Sequence, residues 1–260
     1  MIIWFPVLDT RSASDLENAD FIMTDNNLEY TGRELESMEF AENYHRWIIE
    51  VMRPFLGKDI VEVGAGTGGF STLLLETDPE SLALIEPSQM FGELNARMRG
   101  EEKVSLFNDV FRNVAGRLSG KIDTALYINV LEHIEDDETE LSTVFETLSP
   151  GGRVCIFVPA GPSLFSEFDR SIGHLRRYRA DELREKCEAA GFKVLLQRHF
   201  DAPGIIPWLI KYKLLRSTSM EKGLVSLYDR LVVPIARGLE NLVRPPMGKN
   251  LIVVAEADSK

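Results

Sequence analysis

The sequence has only two cysteines, fewer basic than acidic residues and no long apolar run, and each shortage excludes a class of protein. Cys155 and Cys187 are too few for a disulfide framework, and their spacing does not suit a metal site. No stretch approaches the roughly 18 consecutive apolar residues of a membrane-spanning helix. The apolar residues 1–7 lack the basic region of a signal peptide. We therefore expect a protein of the reducing cytoplasm.

Basic residues are scarce relative to acidic ones. The chain carries 41 Asp and Glu against 29 Lys and Arg, which gives a formal net charge of -12. Such a surface repels the phosphates of nucleic acids, so we expect no nucleic-acid partner. The dense basic cluster of Arg176, Arg177 and Arg179 is too small to change that view. The chain does have 44% hydrophobic residues, which is enough to build a globular core.

Short apolar runs alternate with helical patterns from about residue 58 onward. This alternation predicts a parallel sheet with helical crossovers, which is a doubly wound α/β fold. Residues 203–247 interrupt the pattern with apolar residues at helical spacing, and we name this segment the cap. The predicted organisation is an N-terminal helical segment (1–57), an α/β core (58–202), the cap as a helical insertion (203–247), and the last strand and tail of the core (248–260).

A glycine-rich turn follows the first predicted strand. Its sequence is Glu62-Val-Gly64-Ala65-Gly66-Thr-Gly68-Gly69. Glycines at such a bend permit positive φ and let the backbone approach a ligand closely. Gly64, Gly66 and Gly69 also satisfy the G-x-G-x-x-G pattern of dinucleotide-binding proteins. The turn by itself therefore leaves a nicotinamide cofactor open.

Polar residues at the predicted strand ends distinguish between the cofactor classes. Glu62 can accept a hydrogen bond from an ammonium group, which S-adenosylmethionine supplies, whereas an acid there repels a pyrophosphate. Glu86 closes the second strand and can hold two ribose hydroxyls, which both classes need. Asn108 and Asp109 close the third strand, where an acid can accept a bond from an adenine amino group. The set favours S-adenosylmethionine, with S-adenosylhomocysteine as the product.

In their order and spacing, these residues resemble the successive motifs of class I S-adenosylmethionine-dependent methyltransferases. The resemblance covers about residues 58–158 and adds Pro87, Asn129-Val-Leu-Glu-His133 and Pro150-Gly-Gly152 to the residues above. It implies a Rossmann-like fold with a seven-stranded sheet whose last strand, at 251–255, is antiparallel.

The resemblance also implies roles for further cofactor residues. The backbone of Val110 would contact adenine, and Met90 would pack on the adenine unless it is an ordinary helix core residue. Asn129, Val130 and Leu131 would line the methionyl and ribose side. The full set of implied cofactor residues is Glu62, Gly64, Ala65, Gly66, Gly68, Glu86, Pro87, Met90, Asn108, Asp109, Val110, Asn129, Val130 and Leu131.

Candidate acceptor contacts lie in the loop that follows the fifth predicted strand. Gly173-His174-Leu-Arg176-Arg177-Tyr178 resembles a G-H-x-R-R-Y signature of one branch of the family, in which glycan- and lipid-linked acceptors are suspected. Arg176, Arg177 and Tyr178 are therefore candidate substrate contacts, although the arginines can equally pair with the protein's own carboxylates. Trp208 of the cap is a further candidate.

His133 and His174 are the candidate general bases, with Asp169 and Tyr178 as helpers. A base is needed because an acceptor hydroxyl or protonated amine must lose a proton near the transfer. The alternative for both histidines is a structural role in which the imidazole bonds loop backbone. We expect no metal.

The sequence thus predicts an S-adenosylmethionine-dependent methyltransferase that acts on a small-molecule hydroxyl or amine, including glycan-linked, lipid-linked and natural-product acceptors. The alternatives are an NAD(P)-dependent oxidoreductase on the same sheet topology and a non-catalytic S-adenosylmethionine-binding protein. For the cap, a helical lid packed on its own domain is favoured over a surface for an apolar acceptor or a membrane interface, although Lys211, Lys213 and Arg216 flank its first apolar stripe.

Overall fold

The computed structural model describes residues 41–258. Its first element is helix α1 (Glu42–Met52), which passes into a 3-10 turn at Arg53–Phe55 before the sheet begins. This helix belongs to the N-terminal helical segment predicted for residues 1–57. The part of that segment before residue 41, like the expectation for residues 1–7, lies outside the described residues.

One mixed sheet forms the centre of the protein. Its strands are β1 (Asp59–Val63), β2 (Ser81–Ile85), β3 (Val104–Phe107), β4 (Ile122–Ile128), β5 (Leu148–Pro159), β6 (Phe192–Phe200) and β7 (Asn250–Ala257). They lie in the order β3-β2-β1-β4-β5-β7-β6. β1 to β5 pair in parallel, and β7 is antiparallel to both of its neighbours. This arrangement confirms the predicted seven-stranded Rossmann-like fold with an antiparallel last strand.

Helices follow most strands, as the alternating pattern predicts. Those of the core are α2 (Gly69–Leu75), α3 (Phe91–Arg97), α4 (Phe111–Leu118), α5 (Asp137–Thr147), α6 (Glu167–Ser171) and α7 (Ala180–Ala189). The sequence predicts a helix over residues 88–98, but α3 begins only at Phe91. The reason is local, because Ser88 Oγ accepts a hydrogen bond from the backbone N–H of Met90 (3.2 Å) and competes with helical bonding.

Apolar side chains form a separate core on each face of the sheet. Successive side chains of a strand point to opposite faces, so Val61 lies in one core and its neighbour Ile60 lies in the other. The first core lies under α4, α5 and α7, and the second lies under α1 and α2. Burial on both faces explains why the central strands read as continuous apolar runs.

The cap lies between β6 and β7, where the sequence predicts an insertion. Its helices are α8 (Ile205–Trp208), which continues into a π-helical turn at Leu209–Leu214, then α9 (Lys222–Leu231) and α10 (Val233–Leu242). Phe200 at the end of β6 pairs with Asn250 at the start of β7, so both ends of the cap meet the sheet at one place. Within residues 41–258, no helix has the length and apolar character needed to cross a bilayer.

A buried carboxylate holds the base of the cap. Asp201 directly follows β6 and accepts hydrogen bonds from the hydroxyls of Tyr44 in α1 (3.2 Å) and Tyr228 in α9 (2.5 Å). It also forms an ion pair with Lys249 (2.8 Å). A fully buried carboxylate needs such partners to offset its desolvation. Asp201 therefore joins the first helix, the cap and the start of β7.

A second carboxylate of the cap closes the first turn of α1. The residue before the helix is Ala41, whose side chain cannot cap it. Asp229 of α9 instead accepts hydrogen bonds from the backbone N–H groups of Asn43 (3.2 Å) and Tyr44 (2.9 Å). A residue distant in the sequence thus caps α1, which couples the cap to the core.

Asp229→Ala should lower the free energy of unfolding by about 1–2 kcal/mol, because it leaves the first N–H groups of α1 without an acceptor. Urea denaturation followed by circular dichroism measures this change. Glu102→Ala removes an exposed carboxylate and serves as the control. It should stay within about 0.5 kcal/mol of the wild type. The same small effect for Asp229→Ala would show that the cap does not stabilise α1.

Candidate active site

A cleft of about 440 Å³ opens where β1, β2 and β4 end. This edge lies beside the reversal of strand order, which is where open α/β sheets bind their ligands. Most of the cofactor residues that the sequence implies line the cleft, namely Gly64, Gly66, Glu86, Pro87, Met90, Val110, Asn129 and Val130. The structure therefore brings together residues from several separate motifs.

Two glycines of the turn after β1 are required for different reasons. Gly66 has a φ of +57°, and a Cβ built there would meet only the Met90 methyl group, at 4.0 Å. Gly68 has a φ of +86°, and a Cβ there would lie 2.8 Å from Leu94 Cδ1. Gly66 thus keeps the cleft open, whereas Gly68 allows α2 to pack closely on α3.

Glu86 fixes the shape of the cleft floor. Its carboxylate accepts hydrogen bonds from the backbone N–H groups of Gly66 and Ser88, each at 2.8 Å. A carboxylate has about four acceptor positions, so two remain for a ligand. The end of β2 is held in turn by Asn108, whose Nδ2 donates to the Glu86 backbone oxygen (2.9 Å).

Other implied cofactor residues do not line the cleft, and these are Glu62, Ala65, Gly68, Asn108, Asp109 and Leu131. The carboxylate of Asp109 accepts hydrogen bonds from the Val110 backbone N–H (2.8 Å) and from Asn113 Nδ2 (2.7 Å). Both the acid and the N–H that the sequence assigns to adenine are therefore engaged within the protein.

Glu62 links the two ends of the glycine turn. It precedes the turn and accepts a hydrogen bond from the hydroxyl of Ser71, which follows the turn in α2 (2.6 Å). Burial raises the pKa of Glu62 to about 8, and the nearby Glu86 carboxylate adds to the rise. A proton or a cation beside Glu62 is therefore favoured over a bare carboxylate.

Acidic side chains outside the motifs also line the cleft. Glu135, Asp136 and Glu140 join Glu86 there, whereas Arg112 is the sole cation among the described lining residues. Burial raises the pKa of Glu140, which keeps that carboxyl protonated to higher pH unless a cation pairs with it. The sequence analysis did not identify these residues because they belong to no motif. The acidic run at 135–138 is the sequence feature that could have indicated an acidic cleft wall. The cleft suits an ammonium or sulfonium ligand better than a pyrophosphate.

A smaller cavity of about 90 Å³ adjoins the cleft, and we call it the histidine chamber. It shares Asn129 and His133 with the cleft, so the two cavities meet at these residues. His174, Arg177 and Trp208 also line the chamber. The structure thus places both candidate bases at one point beside the cleft.

Asp169 of α6 organises the loop on one side of the chamber. Its fully buried carboxylate accepts hydrogen bonds from Ser166 Oγ (2.7 Å), His174 Nδ1 (3.0 Å) and Arg177 Nε (2.9 Å). Burial alone would raise the pKa of Asp169, but the bond from His174 and the charge of Arg177 outweigh it and lower the pKa. Asp169 is therefore an anion at neutral pH.

The bond to Asp169 fixes the tautomer of His174. An ionised carboxylate can only accept, so Nδ1 of His174 carries the proton and Nε2 keeps its lone pair. Burial lowers the pKa of His174, which leaves the ring neutral at pH 7. This is the arrangement of an oriented general base.

His133 lies edge-on to His174, with 4.8 Å between the ring centres. Its Nδ1 donates to the backbone oxygen of Gly173 (3.1 Å), so this ring also braces the loop. Burial lowers the pKa of His133 to about 3, and His174 contributes to the decrease. Both imidazoles of the chamber are therefore uncharged at pH 7.

Glu132 is a fully buried carboxyl beside the two histidines. Neither of its oxygens has a hydrogen-bond partner within residues 41–258, and one lies 3.6 Å from His174 Nε2. Burial raises the pKa of Glu132 to about 8, so it is protonated at pH 7. Donor atoms of Glu132, His133 and His174 lie within 4.8 Å of one another, a grouping that a metal ion also fits. The expectation of no metal stays a prediction.

The signature residues of the loop have different partners. Arg177 is buried, and its guanidinium lies 4.2 Å from the centre of a Trp208 ring. Arg176 and Tyr178 instead contact the carboxylate of Asp137, at 2.9 Å and 2.7 Å, and line neither the cleft nor the chamber. Of the three, Arg177 alone reaches the chamber.

Known proteins share both the sequence pattern and the fold. The chain matches a family described as a methyltransferase domain over residues 37–197. It is 26% identical to an O-methyltransferase of Aspergillus nomiae, over 62% of this chain and 76% of that protein. It is 25% identical to a probable S-adenosylmethionine-dependent methyltransferase of Mycolicibacterium smegmatis, over 53% of each chain.

A solved methyltransferase has the same fold. The 1,6-didemethyltoxoflavin-N1-methyltransferase of Burkholderia thailandensis, determined with that compound and S-adenosylhomocysteine bound, superposes with a TM-score of 0.56. The two chains are 18% identical, and the match covers 88% of this chain and 83% of the other. The family match spans more than half of the sequence and includes the glycine turn, the residues that line the cleft, and both histidines of the chamber. The chain therefore belongs to the methyltransferase domain family, and it is an S-adenosylmethionine-dependent methyltransferase.

Proposed function

We propose that the protein methylates a hydroxyl or amine of a small-molecule acceptor, with His174 as the general base. The observation that carries the proposal is the junction at Asn129 and His133, where the cleft meets a chamber that holds a neutral, carboxylate-oriented histidine. S-adenosylmethionine bound in the cleft supplies an activated methyl group on a sulfonium centre, and S-adenosylhomocysteine is the product.

Three features of the cleft suit such a cofactor. Its lining acids, Glu86, Glu135 and Asp136, favour a ligand that carries an ammonium and a sulfonium. The two acceptor positions that Glu86 retains suit a pair of ribose hydroxyls. The opening beside Gly66 lets a ligand approach the backbone of the turn.

For this reaction the protein must align the acceptor with the methyl group and supply one proton acceptor. Methyl transfer is an in-line displacement on an activated carbon, so the enzyme chiefly positions the nucleophile and excludes water. In the proposed reaction the acceptor lies in the histidine chamber and loses its proton to His174 Nε2. The imidazolium that forms is stabilised by Asp169 at 3.0 Å, and His133 keeps the loop in place through Gly173.

Glu86→Ala should weaken the binding of S-adenosylhomocysteine by about 10- to 150-fold, because charge-assisted bonds to the ribose are lost. Isothermal titration calorimetry measures the dissociation constant. Glu93→Ala removes an exposed acid on α3 and should leave it unchanged. If both variants bind as tightly as the wild type, Glu86 is not the ribose ligand.

Gly66→Val should abolish S-adenosylhomocysteine binding while the protein still folds, because the new side chain projects toward the cleft rather than into the core. Gly68→Val should mainly destabilise the fold, since its Cβ would lie 2.8 Å from Leu94 Cδ1. Thermal shift assays with and without the ligand separate these effects. A normal ligand-induced shift in Gly66→Val would place the cofactor elsewhere.

His174→Gln should reduce methyl transfer by about 10²- to 10⁴-fold, which is the usual contribution of a general base. Cofactor affinity should change little, because His174 does not line the cleft. Since burial lowers the pKa of His174, protonation of this ring should reduce the wild-type rate only as the pH drops below about 6.5, the usual histidine value. Formation of S-adenosylhomocysteine with a panel of aliphatic alcohols, phenols and amines measures the rate.

His199→Gln is the matched control, because His199 lies on β6 and lines neither cavity. Equal rates for His174→Gln and the wild type would remove the general-base assignment. Binding of the cofactor without turnover of any acceptor in the panel would instead favour the non-catalytic alternative.

A further inference from the structure

The cap contains an apolar cavity that the cofactor does not need. It has a volume of about 730 Å³, within the range of ligand sites, and lies between α8 with its π-helical turn and α9. We call it the cap groove. Most of its lining is apolar and includes Trp208, Tyr212, Leu215, Leu224, Leu227 and Leu231.

The cap groove adjoins the histidine chamber. The two cavities share Tyr44, Trp208, Met220 and Lys249. The chamber in turn shares Asn129 and His133 with the cofactor cleft. The groove, the chamber and the cleft therefore lie in a row, and a molecule that spans their shared walls would have one end at the methyl-transfer point and the other in the groove.

The leucines along the groove remain accessible to solvent. Leu224 is 50% exposed, Leu227 is 54% exposed and Leu231 is 59% exposed. Apolar patches of this kind on a folded protein mark sites that bind another apolar surface.

The charged groups that line the groove have partners within the protein. Lys211 lies 3.7 Å from Glu221. Lys249 forms an ion pair with Asp201, and Asp229 accepts hydrogen bonds from the first turn of α1.

The charge of the cap differs in sign from that of the whole protein. Residues 203–247 contain seven Lys and Arg and three Asp and Glu, whereas the chain has a net charge of -12. Two of the three cap acids, Asp229 and Glu240, are buried. The exposed face of the cap is therefore basic, which favours an anionic molecule over a cationic one.

We propose that the cap groove binds the aliphatic chain of an anionic amphiphile, and that this amphiphile is the methyl acceptor. Its polar end would enter the histidine chamber and present a hydroxyl or amine to His174. The proposal rests on the proposed function, since it extends the same acceptor site. Aliphatic burial supplies affinity without directional contacts, and each additional buried methylene should tighten binding by about fourfold until the groove is full.

The first test uses a fluorescent fatty acid, 11-(dansylamino)undecanoic acid, with the full-length protein. The wild type should bind this probe, and octanoate, decanoate and dodecanoate should displace it with rising affinity. Dodecyltrimethylammonium should displace it less well than dodecanoate because the cap is basic. Failure of the probe to bind, or equal displacement by chains of every length, would overturn the proposal.

Glutamate substitutions at two similarly exposed leucines provide the test and its control. Leu227→Glu places a charge in the groove, whereas Leu239→Glu places the same charge on α10 outside it, and the two leucines are 54% and 58% exposed. Leu227→Glu should weaken the probe at least tenfold, while Leu239→Glu should stay within about twofold. Equal losses would show that the probe adsorbs to the surface of the cap and would overturn the proposal.

Parallel measurements separate this proposal from the proposed function. If S-adenosylhomocysteine binds and methyl transfer depends on His174, but the probe does not bind, the groove proposal alone fails. If no acceptor is methylated, the proposed function fails whatever the probe does. Light scattering tests whether a second copy of the chain occupies the groove instead. If the wild type is a dimer that does not bind the probe, and Leu227→Glu converts it to a monomer, the proposal is overturned.

The source of the amphiphile can be distinguished in the same way. Flotation with vesicles of phosphatidylcholine containing phosphatidylglycerol tests whether the chain is taken from a bilayer. Binding to these vesicles that Leu227→Glu abolishes would support the proposal with a membrane source. Probe binding without flotation would support it with a dispersed acceptor.

Discussion

The histidine chamber depends on one buried anion, the carboxylate of Asp169. A charge that is removed from water must be paired, and here the partners are Arg177, His174 and Ser166. These hydrogen bonds and the ion pair order the loop after β5 and fix the tautomer of His174. It also places the guanidinium of Arg177 against Trp208, and so connects the loop to the cap. One electrostatic requirement thereby sets the geometry of the chamber.

The convergence of the glycine turn and Glu86 at one cleft was predictable because it depends on local backbone. Gly64, Gly66 and Glu86 lie where strands end, so strand positions alone bring them together. The loop was less predictable, because adjacent residues in irregular backbone point in unrelated directions. Arg177 therefore reaches the chamber while its neighbours Arg176 and Tyr178 contact Asp137. Glu135 and Asp136 were missed because no local pattern links an acidic run to a cleft.

Charge is distributed unevenly over the molecule, and the distribution follows its two halves. The cleft is acidic, which matches a cationic cofactor and argues against the pyrophosphate of the oxidoreductase alternative, as does membership of the methyltransferase family. The cap has an excess of basic residues. If the cap groove holds the acceptor as proposed, such a separation would let the two ligands of one reaction be selected by opposite electrostatic fields.

The pairing of Phe200 with Asn250 has a consequence for how this protein can change. Because the two antiparallel strands meet at that rung, the chain between them starts and ends at nearly the same point. The entropic cost of closing such an excursion grows only slowly with its length. The segment can therefore be lengthened, shortened or exchanged during evolution without moving the strands that carry the cofactor cleft. If the cap holds the acceptor as proposed, grafting a different segment onto this rung would give an enzyme with the same methyl donor and a new acceptor.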